Sequence, residues 1–146
     1  MNWMQEFTSN KELQDMLSAF FNRHSIKDFK NALELYNDLQ QEYICKTKTS
    51  ISKVKIYDIY YLTIKKHRIT VHTQYGQYQK YGSLNKELKV LSSCGFIKCA
   101  QSCIVSLSKI KAINPHDIVL INNDTIPLSR NFAPAVIMAF ANCRRR

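Results

Sequence analysis

The chain has 146 residues, 45% of them hydrophobic, and carries 21 Lys and Arg against 11 Asp and Glu, a formal net charge of +10. That suits one ordinary domain, or a compact domain with a helical appendage, and is short for two full domains. No stretch approaches the about 18 apolar residues of a membrane span, and the opening MNWMQEFTSNKE lacks the charged-then-apolar pattern of a secretory signal, so a cytoplasmic protein with no membrane partner is expected.

The first 43 residues read as helix. Leu13, Met16, Leu17 and Phe20 fall on one face, and Phe29, Ala32, Leu33, Tyr36, Leu39 and Tyr43 continue a stripe at steps of three and four. Ser25 followed by Asp28 is a capping-box start, which predicts a helix from about Ile26 to Tyr43. Its apolar stripe needs cover, from a missing neighbour, a second copy or the rest of the chain. Ile44 to Lys53 (ICKTKTSISK) turns to Lys, Thr and Ser and reads as a linker, which places a domain boundary near residues 45 to 50.

Short β-branched and aromatic runs follow. Strands are expected at Val54–Ile56, Ile59–Ile64, Ile69–Thr73 and Tyr78–Tyr81, with turns at Lys65-Lys66-His67-Arg68 and Tyr75-Gly76-Gln77. Ser83 caps a helix whose buried edge is Leu84, Leu88 and Leu91 and which ends by Gly95. Phe96–Cys99, Ser102–Val105, Ile110–Ile113, Ile118–Ile121 and Thr125–Leu128 are again strands, the last pair joined by Asn122-Asn123-Asp124, residues that tolerate positive φ. A helix from about Asn131 to Asn142, with Pro134 in its first turn, closes the pattern. The expected fold is mainly β with short helices, preceded by an α-helical segment.

Charge follows the same division. Residues 1–43 hold four Lys/Arg (Lys11, Arg23, Lys27, Lys30) against seven Asp/Glu, or −3; residues 44–146 hold 17 against four, or +13. Such a field attracts phosphate backbones without specifying a sequence; by charge alone nucleic acid is one expected partner class and a merely soluble basic surface the alternative. Only Asp58, Glu87, Asp117 and Asp124 are acidic after residue 43, and the three glycines form no phosphate-cradling run, which argues against paired-carboxylate or nucleotide-dependent catalysis. The odd set Cys45, Cys94, Cys99, Cys103 and Cys143 reads as reduced thiols. It contains no C-x-x-C pair, and neither a metal nor a cofactor is expected.

Five blocks in order, IYDIYYL, HRITVHT, GSLNKEL, GFIKCAQSCIVSLSKI and IPLSR, make residues from about 54 to 140 resemble the LytTR (LytR/AgrA-type) DNA-binding domain of bacterial response regulators. The resemblance implies a multi-sheet β fold that places loops into successive major grooves of double-stranded DNA, in a non-enzymatic transcriptional regulator of a two-component system. It divides the chain into residues 1–45, a helical segment, and 46–146, the DNA-binding domain. Carried over, the reading positions are His67 with Arg68 beside it, Gln101, and Arg130. Arg130 can bond a guanine edge bidentately, Gln101 an adenine edge, and His67 a base edge or phosphate. The family often has His-Arg or His-Asn where this chain has Ala100-Gln101, so one polar group is missing there. Ser102 and Ser129 either donate to phosphate or cap turns; Lys65, Lys66, Lys98, Lys109 and Lys111 are expected to contact phosphate as a set, and the Arg144-Arg145-Arg146 tail either touches DNA or aids solubility. Cys99 falls where some relatives place a redox-responsive thiol; a small buried strand residue is the alternative.

The segment FTSNKELQDMLSAFFNRHSIKDFKNALELYNDLQQEY is similar to the end of a phosphoacceptor receiver domain, without the acidic pocket that binds magnesium and accepts phosphate. That resemblance implies a truncated receiver or a dimerisation element, pairing with itself or with another response regulator. A competing function keeps the same fold and makes the chain a non-catalytic antagonist of a full-length regulator.

Overall fold

A computed structural model describes residues 2–142; Cys143 and the Arg144-Arg145-Arg146 tail lie outside the described residues. The chain divides into two compact units, Met1–Asp38 and Leu39–Arg146.

Three helices begin the chain: α1 (Trp3–Ser9), α2 (Lys11–Arg23) and α3 (Ile26–Leu39). Asn2 and Asn10 cap the first two by accepting from Met4 and Leu13 amides. The capping box forms as the sequence implied: Ser25 N–H donates to Asp28 Oδ2 (3.1 Å) and Asp28 N–H to Ser25 Oγ (3.2 Å). Phe20, Phe21 and Phe29 meet edge to face with centroids 5.3 to 5.8 Å apart, which ties α2 to α3. No residue of α1, α2 or α3 is buried.

The expected helix forms from Ile26 but stops at Leu39, and its expected last residues and the expected linker are instead a hairpin, β1 (Glu42–Lys46) and β2 (Ile51–Lys55), paired from Glu42↔Lys55 to Lys46↔Ile51. Alternation decides it: Tyr43, Cys45 and Val54 are 5%, 1% and 7% exposed, while their neighbours face water. Tyr43 Oη donates to Glu87 Oε2, Lys80 Nζ lies 3.0 Å from Glu87 Oε1, and that ammonium sits 4.3 Å from the Tyr43 ring centroid. The buried carboxylate is thus matched by a cation and a hydroxyl. Burial, followed by the bond to Glu87, pushes the Tyr43 hydroxyl far above its ordinary pKa. The second compact unit starts at Leu39 and so includes this hairpin.

Eight further strands follow: β3 (Ile59–Lys65), β4 (Arg68–Thr73), β5 (Gly76–Tyr81), β6 (Phe96–Ala100), β7 (Cys103–Ser106), β8 (Ile110–Ile113), β9 (Asp117–Leu120) and β10 (Thr125–Pro127). A five-stranded antiparallel sheet has the order β5-β4-β3-β7-β6 and a three-stranded one the order β10-β9-β8. Helices α4 (Leu84–Leu91) and α5 (Ala133–Asn142) complete the unit, α4 capped by Ser83 as expected. Side chains of the central sheet alternate between two cores. Leu62, Ile69, Val71 and Ile104 pack with the β1–β2 hairpin and with Leu84 and Leu91 of α4. Val105, Cys99 and Cys103 pack on the other face with Ile110, Ile118, Leu120, Ile126 and, from α5, Val136. Cys99 and Cys103 are fully buried, which makes them core residues of the β6–β7 hairpin. Among the described residues no group of three or more His, Cys, Asp or Glu could hold a metal ion, and no helix is long and apolar enough to cross a membrane.

Candidate nucleic-acid interface

One end of the five-stranded sheet collects the three predicted reading segments. Strand β3 ends at Lys65 and returns through Lys66-His67 into β4, with Lys65 paired to Arg68. Lys66 takes φ of 49°, a left-handed conformation uncommon for a side chain of this size, and closes the two-residue turn. The β6–β7 turn, Gln101-Ser102, lies at the same end because β7 runs antiparallel to β3 with Thr63↔Cys103, and Ser102 O accepts from Ile64 N–H at 3.1 Å. After β10 the chain is bonded to β6, Ser129 N–H donating to Cys99 O at 2.9 Å. Ser129 O then accepts from Phe132 and Ala133 amides, both at 3.0 Å, and so starts the last helical turn sequence.

His67, Arg68, Gln101, Ser102 and Arg130 are all exposed, as are Lys65 and Lys66, while Ser129 is half-buried. Arg130 has no side-chain hydrogen bond or ion pair among the described residues. None of these segments contains a carboxylate; the buried Glu87 is held by Lys80, and Asp58 accepts from Gln74 Nε2 at 2.7 Å beside the opposite turn, Thr73–Gly76. The surface therefore offers cations and amide or hydroxyl donors with no anion among them, which is the chemistry of phosphate and base-edge contact.

The remaining predicted lysines separate. Lys98 is half-buried, with Nζ 3.3 Å from Asn85 Oδ1 and 5.7 Å from the Phe132 ring centroid. Lys111 is exposed and donates to Asn123 Oδ1 at 3.3 Å. Lys109 corrects the expectation: it is 7% exposed, and its Nζ lies 4.1 Å from the Tyr57 and 5.3 Å from the Tyr60 ring centroid. Burial lowers its pKa, opposed by Asp58. The 3-10 turn Leu107–Lys109 directs this ammonium into an aromatic pair, so it is withdrawn from the phosphate set.

Three residues outside the sequence reading join the site. A cleft of about 530 Å³ is lined by Lys65, Lys66, His67 and Arg68 together with Thr70, Gln79 and Tyr81. Arg68 Nη2 donates to Tyr81 Oη at 3.3 Å, with the guanidinium carbon 5.7 Å from the ring centroid, and Thr70 exchanges hydrogen bonds with Gln79. The signal was in the register: a turn that pairs Thr73 with Gly76 brings Thr70 opposite Gln79 and Arg68 opposite Tyr81. Further along the same strands His72 stacks on Tyr61, centroids 4.0 Å apart, and bonds Thr63 through Nε2 at 3.1 Å. Burial lowers the His72 pKa, against Asp124, so this imidazole is a neutral structural group rather than a surface cation.

Residues 49–140 match the model of the LytTr DNA-binding domain family. Among solved structures, the chain is similar to one described as the LytTr DNA-binding domain of a methyl-accepting/DNA response regulator from Bacillus cereus. The identity is 24% and the TM-score 0.61, over 67% of this chain and 94% of that one. No curated protein matches the chain.

Proposed function

The chain belongs to the LytTR DNA-binding domain family, and is therefore a double-stranded-DNA-binding protein of the transcription-regulator class; from that premise we propose that it reads a specific duplex sequence through loops laid into successive major grooves. The observation that carries the reading is the gathering of the exposed β3–β4 turn, the β6–β7 turn and the Ser129-Arg130 segment at one end of one sheet, without a carboxylate among them. In this scheme Arg130 donates two parallel hydrogen bonds to a guanine edge. His67 and Gln101 contact base edges or phosphate, and Lys65, Lys66 and Ser102 hold the backbone in register. Arg68, restrained by Tyr81, presents its guanidinium at a fixed height above the β3–β4 turn.

The test is binding to a cognate duplex, selected from a random pool, and to point-mutated versions of it. Arg130→Ala is expected to lose about 1–3 kcal/mol of discrimination at one base pair. Lys66→Ala is expected to weaken all duplexes alike. Retained discrimination in Arg130→Ala would remove that residue from base readout.

A further inference from the structure

Four of the chain's exposed lysines, Lys46, Lys48, Lys53 and Lys55, sit on the β1–β2 hairpin, which none of the reading segments includes. The hairpin runs alongside the edge strand β5, and its two ends fall at different places. Its base is beside the Thr73–Gly76 turn: Lys53, Val54 and Lys55 line one cleft of about 480 Å³ with Thr73, Gln74 and Tyr75. Further along, the Tyr43 hydroxyl bonds Glu87 and its ring lies under the ammonium of Lys80, a residue next to the Arg68↔Tyr81 pair that closes the reading end. Strand pairs advance about 3.3 Å per residue, so the tip beyond Cys45, Lys46-Thr47-Lys48-Thr49-Ser50, projects at the reading end of the sheet.

That tip is ordered without using its cations. Thr47 N–H donates to Ser50 O at 2.9 Å, and Thr47 Oγ1 accepts from the Ser50 amide at 3.2 Å and lies 3.1 Å from Ser50 Oγ. Lys46 and Lys48 are exposed and have neither an ion pair nor a side-chain hydrogen bond among the described residues. The family match begins at residue 49, so both lysines precede it. Lys53, by contrast, faces Glu42 at 3.8 Å, and Lys55 stands at the base.

We infer that the β1–β2 tip is a phosphate clamp, in which Lys46 and Lys48 bind the DNA backbone beside the bases read by the β3–β4 turn. The inference rests on the DNA-binding reading above and adds a contact to it. Backbone contact of this kind sets affinity and salt dependence and leaves sequence choice alone.

Fluorescence anisotropy of the full chain on the selected duplex and on a scrambled one, titrated with salt, tests it. The double variant Lys46→Ala/Lys48→Ala is expected to lower the slope of log K against log salt by about 1.8 and to weaken both duplexes roughly ten- to thirtyfold near physiological salt. Lys55→Ala, at the hairpin base, is expected to leave slope and affinity unchanged, and thermal melting of both variants to match the parent. An unchanged slope in the double variant, beside a parent that binds with steep salt dependence, overturns the clamp and leaves DNA binding intact. An equal loss in Lys55→Ala overturns the placement of the tip. A parent that binds neither duplex overturns the DNA reading itself, and the clamp with it.

Discussion

A lysine's role in this chain is decided by where its ammonium is held. Lys65 and Lys66 end in water at a tight turn, whereas Lys109, one residue before a strand, is folded over Tyr57 and Tyr60. Composition cannot tell these apart, because all three stand in basic, turn-flanking positions. The difference comes from a 3-10 turn whose lysine meets the aromatic rings at the start of β3, a tertiary fact with no local signature. It has a measurable consequence. Lys109→Met keeps an unbranched side chain between the rings and removes a desolvated charge, so stability is expected to change by less than about 1.5 kcal/mol. DNA affinity and its salt slope are expected to stay at parental values; a slope lower by about 0.9 would return Lys109 to the phosphate contacts. Arg130 and His67 were legible for the opposite reason. Their place in the site came from the resemblance to the HRITVHT and IPLSR blocks, and what the structure adds is that both are exposed just beyond strand ends.

At the level of elements, the strands from β3 to β10 and helix α4 were readable because period-two runs, Ser83 and the Asn122-Asn123-Asp124 turn all agree with the final fold, Asn123 taking φ of 71°. The hairpin β1–β2 was not. Tyr43 fits the helical stripe through Tyr36 and Leu39 as well as it fits a strand, and the polar tip KTKTS resembles a linker until Cys45 and Val54 are seen in the core. What favours the strand is nonlocal: the Tyr43 hydroxyl and the Lys80 ammonium jointly satisfy Glu87, a carboxylate only 8% exposed. A chain beginning at residue 39 is therefore expected to melt cooperatively, close to the parent. One beginning at residue 49 loses Tyr43 and Cys45 from the core, and Tyr43→Ala alone is expected to cost about 3–5 kcal/mol. That is a large share of the about 5–15 kcal/mol that stabilises a domain. Tyr43→Phe keeps the ring over Lys80 and gives up only the hydroxyl, for about 1–3 kcal/mol. Urea unfolding of the four proteins measures all of this, and equal midpoints for the chains starting at 39 and 49 would show the hairpin to be an ornament.

For the whole molecule the open relation is between a basic unit that can bind DNA and a helical unit none of whose helical residues is fully buried. Met16, Ile26, Leu33 and Tyr36 are 63%, 72%, 51% and 61% exposed, on helices whose stripes are amphipathic by spacing. We propose that this unit pairs with a second copy, because amphipathic helices of this length are marginal in water unless their apolar faces are covered. Pairing has an effect on DNA that single-domain binding lacks. Two linked reading ends bind two sites with an effective concentration fixed by the connection, so a selected duplex should contain two similar half-sites in tandem, and affinity should fall steeply when one is scrambled. Light scattering of the full chain is expected to give twice the protomer mass, and of residues 39–146 a single protomer. A monomer in both cases would remove the pairing. It would also turn attention to a different partner for the helices, since a chain that binds DNA as a monomer and offers an apolar face could displace or escort a larger regulator of the same fold.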